Sequence, residues 1–523
     1  MLESIGVNNF RSFKTETTIE LKPITVFVGK NSSGKSSVLR TFPLFRQSLE
    51  SNTTGPILWY GRYVDFGDFE EVISNNSLKD TIEFKFILSI SEDRNKKFNR
   101  YSHRIANTED TKFDVRLKLK AKDKKTKANE IEIKLHDVTI NIYIGDNDNA
   151  SFKITSGKVV IEKDGLVATN LGQFIPRVLL KKKEEVISTT TGIKNQYYSN
   201  RPYQPNELEL TFLQSGLKIL REYFHTNTDT DKILNGLDRL GFVKKDVYRY
   251  LLEGVFKEQR FFVNNFNKDP SAIVDKIYPY TIAWNLNSIL NIINSELTEI
   301  FSSIRYIAPL RATSERFYRF QDLQVDEIDH TGSNLAMLLN SLKPTEKNQF
   351  EQWTKVNFGF FVKVKQDGPH FAVRIVTDSD DTEYNISDMG FGYSQVLPIL
   401  TAIWMETERK KAIKDKKIIF IIEQPELHLH PAYQHTLAKI FAKVIAKAKE
   451  NSINIQIIFE THSQNMIESL GECIEDKSID ITPDDISIII FDKENGKSTN
   501  TSISTFDDDG MLNNWPIGFF SGR

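Results

Sequence analysis

A chain of 523 residues with 39% apolar and 26% charged side chains can fill a large core, which excludes a disordered or fibrous polypeptide and suggests roughly two to four domains. Its 68 Lys and Arg against 70 Asp and Glu leave a formal net charge of −2, so no global field draws it onto nucleic acid or an anionic membrane, and any such contact must be local. Cys473 is the only cysteine, which excludes an intrachain disulfide and a multi-cysteine metal site; with no signal-like start and no long apolar run, the expectation is a soluble cytoplasmic protein.

The first segments, "IGVNNFRSF", "TTIELKP" and "ITVFVGK", read as strands feeding a glycine loop, after which the pattern becomes helical. Gly29 to Ser36, "GKNSSGKS", matches the P-loop pattern completely. In such a loop the backbone N–H groups cradle phosphate oxygens at a helix N-terminus, Lys35 reaches the β and γ phosphates, and the Ser36 hydroxyl ligates Mg2+. The strand before it and the helix after it set it apart from an ordinary glycine turn. The expected nucleotide contacts are Gly29, Asn31, Ser32, Ser33, Gly34, Lys35, Ser36 and Ser37.

Texture divides the chain into a first lobe over 1–85, a β-rich insertion over 86–200, a helical insertion over 201–305 and a second lobe over 306–523. In the β-rich part, Val115, Leu117 and Leu119 alternate with Arg116, Lys118 and Lys120. After a polar turn around Asp123 to Asn129, Ile131, Ile133 and Leu135 alternate with Glu130, Glu132 and Lys134. This predicts a hairpin or meander with one apolar face. The lysines over 112–134 could line a nucleic-acid groove, but a solvated face balanced by Glu130 and Glu132 fits the charge pattern better. The segments from "NELELTFLQSGLKILREYF" to "AWNLNSILNIINSELTEIFSSI" predict several helices with no sustained heptad, hence no coiled-coil arm.

In the last part, "MGFGYSQVLPIL" places Gly390 and Gly392 before Ser394 and Gln395 at a helix start, either an anion-receptive surface or a plain glycine turn. The apolar strand in "KKIIFIIEQPELHLHP" delivers Glu423 to the sheet edge where α/β sites form, opposite Ser36, to hold the metal through water. A helix from Pro431 to Lys449 and the strand "INIQIIFE" complete a βαβ unit with buried parallel strands. His462 follows that strand as a γ-phosphate sensor or a structural histidine.

The order of these pieces resembles the ABC-class ATPase heads of the RecF, SMC and OLD type. The resemblance implies an α/β fold, an ABC-type P-loop head split in sequence by the β-rich and helical insertion, with ATP held between the P-loop of one copy and the signature turn of another. It carries over Gly29 to Ser37 as the P-loop, Gly390, Gly392, Ser394 and Gln395 as signature, Glu423 and Gln424 as the acidic and catalytic positions, and His462 as switch histidine. In "NNFRSF", Arg11 would approach the nucleotide; Gln47 is a poor match for the remaining glutamine of the class. More specifically, "VDFGDFEEVI", "YIAPLRATSERFY", "MGFGYSQVLPIL" and "EQPELHLHP" resemble the AAA ATPases of bacterial anti-phage defence systems, PtuA-like, of the Septu and retron-linked kind. That implies ATP and Mg2+ as cofactors, a homo-oligomer, a small HNH nuclease subunit (PtuB-like) as partner, and in retron settings a reverse transcriptase with its RNA. Any DNA contact would be local, and no membrane is involved.

Gln424 stands where the class has a catalytic glutamate, and an amide cannot take a proton as a carboxylate does. It can still orient water, and Glu426 could supply the missing carboxylate. The expectation is an ATPase that binds ATP well and hydrolyses it slowly to ADP and phosphate. His428, His430, His435 and His462 could suggest zinc, but no thiolate is near and their spacing fits an extended segment. After His462 only 61 residues remain, which is short for a TOPRIM nuclease domain, and Asp507 to Asp509 read as a solvated run. Any cutting activity is therefore expected from a partner, and the tail "NNWPIGFFSGR" either docks it or packs on its own domain. Three other readings stand beside this one, a RecF- or SMC-like DNA-repair ATPase, a transporter ATPase subunit, and a non-hydrolysing ATP-bound scaffold.

Overall fold

The computed structural model describes residues 1–51, 53, 55–74, 79–91, 110–123, 125–169, 174–181, 206–312, 314–319, 325–367, 370–377, 380–409, 416–493, 498–516 and 519. They form two compact units, one built from Met1–Asn9, Ser51–Leu58 and Ser77–Thr298, the other from Phe10–Glu50, Trp59–Asn76 and Glu299–Arg523. The second unit is thus interrupted in sequence by the first, the split head that the motif order predicts.

The first unit carries an antiparallel meander. Its strands run in the spatial order Arg177–Leu180, Val159–Thr169, Asn149–Ser156, Val138–Ile144, Lys125–Leu135, Thr111–Lys122, Thr81–Ile90 and Leu2–Asn8. Alternation puts Phe113, Val115, Leu117 and Leu119 in the core, with polar residues between them on the other face, as a half-buried sheet requires. The expected turn over Asp123 to Asn129 is shorter than its polar run. Lys125 already pairs with Lys122, and the register shifts where Lys118 meets Glu130 and Leu119 meets Ala128. One extra residue there is a β-bulge, which breaks the alternation and makes strand residues read as turn.

Six helices follow between Glu207 and Ser302. The first, Glu207–Arg221, starts at a capping box in which the Asn206 side chain accepts from the Glu209 N–H and Glu209 reaches back to the Asn206 N–H. The last ties itself to strand Arg177–Leu180 through Asn287, whose amide both accepts from the Val178 N–H (3.2 Å) and donates to the Val178 carbonyl (3.0 Å). The lysine stripe of the hairpin is matched by acids. Lys112 pairs with Glu3 (2.9 Å), Lys118 with Glu130 (2.8 Å), Lys120 with Asp80 (2.6 Å), Lys122 with Asp146 (2.8 Å) and Lys127 with Asp148 (2.9 Å).

The second unit is built on a mostly parallel sheet in the order Ile304–Ile307, Lys417–Glu423, Asn454–Glu460, Ile24–Gly29 and Ile486–Asp492, with Asn500–Phe506 and Leu512–Asn513 added antiparallel at one edge. Its central strands are buried on both faces, which is why "ITVFVG" and "KIIFIIE" read as unbroken apolar runs. The predicted βαβ unit is present, with helix Pro431–Glu450 between strands that pair in parallel. A small antiparallel sheet of Tyr318–Arg319, His370–Thr377, Phe360–Asp367 and Asp380–Asn385 lies in the same unit. Trp515 and Phe519 of the tail pack on the core of this unit, ring centroids 4.9 Å apart.

The register places two carboxylates side by side. Glu423 and Glu460 end adjacent strands and are direct partners, and strand Asn454–Glu460 lies between Lys417–Glu423 and the P-loop strand Ile24–Gly29. Glu460 is therefore one strand nearer the P-loop than Glu423.

Candidate nucleotide site

The strand Ile24–Gly29 ends in a loop that only glycine permits at two points. Gly29 has φ 151° and a Cβ there would lie 2.4 Å from the Phe491 carbonyl oxygen; Gly34 has φ 104° and a Cβ would strike Phe13 and Ser12 at 2.8 Å. Gly34 is also the N-cap of helix Lys35–Leu39, which continues after Arg40 into Thr41–Glu50. The Lys35 ammonium curls back over the loop, donating to the carbonyls of Gly29 and Lys30 at 2.9 Å each. Burial lowers its pKa, opposed by the Glu460 carboxylate 3.8 Å away. The Ser33 hydroxyl is buried with no partner.

Residues 31–37 of this loop, with Arg11, Gln424, Glu460 and Lys493, line a cavity of about 680 Å3. Arg11 has φ 50°, donates from Nη2 to the Phe66 carbonyl at 2.9 Å and lies 5.3 Å from the Phe66 ring centre. It reaches the same cavity as the P-loop although Asn31 lies 20 positions further along the sequence.

The two carboxylates have different partners. Glu423, 2% exposed, accepts from Arg40 Nε and Nη2 at 2.8 Å each and from the Tyr306 hydroxyl at 2.7 Å. Glu460, 3% exposed, accepts from the Ser36 hydroxyl at 2.6 Å. Burial holds the Glu460 carboxyl above the ordinary range, against the Ser36 hydrogen bond and Lys35, which pull it down. The sequence reading missed Glu460. Its signal was present, since "IQIIFE" ends in a glutamate in the same phase as "IIFIIE", but which of two glutamates faces Ser36 depends on strand order.

Gln424 sits in the left-handed region at φ 43°, and its N–H donates to the Glu460 carbonyl at 2.9 Å. Glu426 accepts from the His462 N–H at 2.7 Å through Oε1, while its Oε2 is buried without a partner; burial raises its pKa. The His462 imidazole lies with Nε2 3.9 Å from Glu460, and burial together with Lys35 lowers its pKa. Neither Glu426 nor His462 lines the cavity. Gln47 is a structural staple, its amide oxygen accepting from the Tyr63 and Val64 N–H groups at 3.1 Å each.

The glycine turn before helix Phe391–Trp404 lies apart from the cavity. Gly390 has φ 81° and caps the helix, Phe391 is 59% exposed with its ring tilted 38° to that of His428 at 5.8 Å, and Gly392 approaches the His428 carbonyl so closely that a Cβ would sit 3.2 Å from it. Ser394 and Gln395 are buried. Ser394 Oγ donates to the Phe391 carbonyl at 2.8 Å, and Gln395 Nε2 donates to the Arg311 carbonyl at 3.3 Å. Arg311 in turn donates from Nη2 to the Glu423 carbonyl at 2.9 Å, and burial pulls its pKa down to about 10. A backbone-to-side-chain chain thus connects the glycine-turn helix to the acidic strand end.

His428, His430, His435 and His462 form no metal cluster. Among the described residues no group of three or more His, Cys, Asp and Glu side chains is placed to hold a metal, and Asp507 instead accepts from the N–H groups of Asp509 and Met511. Among the described residues no helix is long and apolar enough to cross a membrane.

Residues 1–467, most of the chain, match the family model described as the AAA ATPase domain. The chain belongs to the AAA ATPase domain family. Among curated proteins this AAA ATPase domain is similar to the protein titled Endonuclease GajA of Bacillus cereus (strain HuB5-5), at 22% identity over 489 residues. The alignment covers 90% of this chain and 56% of that relative, so the chain spans little more than half the relative's length. Among solved structures, the SMC head domain from Thermotoga maritima aligns at 10% identity with a TM-score of 0.34, covering 97% of this chain and 99% of that chain.

Family membership makes nucleotide the expected ligand, and this AAA ATPase domain has the residues for it. The loop offers the buried Ser33 hydroxyl without a protein partner, and the Ser36 hydroxyl and the Glu460 carboxylate beside it are oxygen donors. Oxygen donors suit Mg2+, which is commonly bound through one or two carboxylates plus substrate phosphates and keeps several waters, so a dense cluster of protein ligands is not needed.

Proposed function

We propose that this chain is an ATP- and Mg2+-binding switch ATPase that pairs with a second copy around nucleotide and controls an effector nuclease in bacterial antiviral defence. The observation that carries the reading is the cradle itself: a P-loop whose Lys35 and Ser36 point at one buried carboxylate, opening on a cavity of about 680 Å3. Phosphates bound there would be held by loop N–H groups and Lys35, and Mg2+ held beside Ser36 would neutralise phosphate charge.

Slow hydrolysis follows from Gln424, which lines the cavity but has no proton-accepting group. The exposed Gly390–Phe391 turn lies outside the cavity, as suits a surface offered to the nucleotide of a second copy. Similarity to a protein titled as an endonuclease supports the link to a nuclease, and the motif resemblance to PtuA-like ATPases of Septu and retron-linked systems supports an HNH subunit as the partner. The lysine stripe matched by acids does not favour a DNA groove on the hairpin face.

The test is sedimentation of the full chain with ATP, ADP or no nucleotide. Assembly that needs ATP and is lost in Lys35→Ala is the expected result. Assembly unaffected by nucleotide, or by loss of Lys35, would rule the switch out.

A further inference from the structure

Resting on the nucleotide reading above, we propose that Glu460, rather than Glu423, is the carboxylate that completes the divalent-cation site beside Ser36, while Glu423 is committed to anchoring the P-loop helix through Arg40. Strand order comes first: Asn454–Glu460 is the neighbour of the P-loop strand, and Lys417–Glu423 lies one strand further away. Glu460 lines the cavity and Glu423 does not.

The hydrogen bonds then separate the two acids. Both oxygens of Glu423 are taken by the Arg40 fork at 2.8 Å each, and one also accepts from Tyr306 at 2.7 Å. A bidentate guanidinium pair is among the strongest side-chain contacts, and giving it up would strand a buried charge. Glu460 has a different partner, the Ser36 hydroxyl at 2.6 Å. A hydroxyl that donates in one state can turn its lone pairs to a cation in another, leaving the carboxylate beside that cation or its water. Gln424, also at the cavity wall, brings no charge, and of the two carboxylates that line the cavity, Glu71 and Glu460, Glu460 is the one hydrogen-bonded to Ser36.

A divalent cation held here tightens nucleotide binding, so the readout is the ratio of affinities with and without Mg2+, independent of turnover. A fluorescent ATP analogue is titrated into the full chain in EDTA and in Mg2+, for wild type, Glu460→Gln, Glu460→Asp, Glu423→Gln and Lys35→Ala. Removing an outer-shell carboxylate typically costs 10–100-fold in metal affinity. Glu460→Gln should therefore lose on the order of tenfold or more of the Mg2+ gain, whatever its affinity in EDTA. Glu423→Gln should keep the Mg2+ gain. A Glu460→Gln protein with the full gain, or a folded Glu423→Gln protein without it, overturns the assignment. If Glu460→Gln does not fold, Glu460→Asp decides: an intermediate gain, with Mn2+ affinity reduced in parallel by electron paramagnetic resonance, supports it, and a wild-type gain overturns it. Failure of the nucleotide reading looks different, since the analogue would then bind Lys35→Ala as it binds wild type in EDTA and in Mg2+ alike.

Discussion

At Gln424 the backbone already sits at φ 43°, so replacing the side chain changes chemistry without asking the strand end to move. Gln424→Glu adds a proton acceptor at the cavity wall, and general-base help is typically worth about 10²–10⁴-fold. A phosphate-release assay should show turnover rising by on the order of tenfold or more, the lower end being set by repulsion from Glu460; an equal or lower rate would mean that position 424 does not limit hydrolysis. Glu426 makes a second prediction through stability. Burial lifts its folded pKa above the unfolded value of 4.5, so the folded state binds more protons between the two values, and stability falls as pH rises through that window. Glu426→Gln keeps an acceptor for the His462 N–H and removes the buried charge. The variant should melt higher than wild type at pH 7–8, with the difference shrinking as pH drops toward the unfolded value; a pH-independent difference would show that Glu426 ionises freely in the fold.

One turn of helix and one strand end are joined by a single ion pair. Arg40 closes helix Lys35–Leu39 at its C-terminus and forks onto Glu423 at the end of Lys417–Glu423, so the orientation of the P-loop helix is coupled to the acidic edge of the sheet. The Arg40 side chain is 40% exposed while that of Glu423 is buried, so solvent screens the pair and its rupture should cost less than the 3–5 kcal/mol typical of fully buried pairs. Arg40→Met should destabilise the nucleotide-free protein by about 1–3 kcal/mol, and Arg40→Met with Glu423→Gln should recover much of that loss. A double-mutant cycle in urea checks it, and strictly additive losses would show that the two side chains do not couple. Elements of this kind mark the boundary of what could be read from the chain alone. The P-loop, the buried parallel strands and the hairpin were legible because each is written in contiguous residues, as a glycine spacing, an apolar run or an alternation. Glu460 was not, because its meeting with Ser36 depends on which strand lies next to Ile24–Gly29, a pairing between segments more than 400 residues apart. The turn after Lys122 was misjudged for a local reason, a bulge that interrupts alternation inside a strand.

For the molecule as a whole, the proposed pairing around ATP makes a claim about symmetry. If each site combines the P-loop of one copy with the glycine turn of the other, a two-fold dimer holds two equivalent composite sites. The structure also says which residue probes the turn. Ser394 is buried and bonded within its own helix, so a bulky charge there would damage the fold, whereas Phe391 is 59% exposed and can be changed at little cost to packing. Lys35→Ala disables the P-loop face and Phe391→Arg the turn face, so neither variant alone should assemble with ATP. Mixed together, they can form a heterodimer in which one site joins the intact turn of the first to the intact P-loop of the second, while the other site carries both defects. The mixture should therefore recover ATP-dependent dimer, weaker than wild type because one site of two is intact, and sedimentation of the two proteins separately and at a one-to-one ratio measures it. Assembly of each variant by itself at wild-type concentration would place the contact elsewhere on the surface. No recovery on mixing, with both variants folded and Phe391→Arg still binding nucleotide, would mean that the two faces do not meet across the nucleotide.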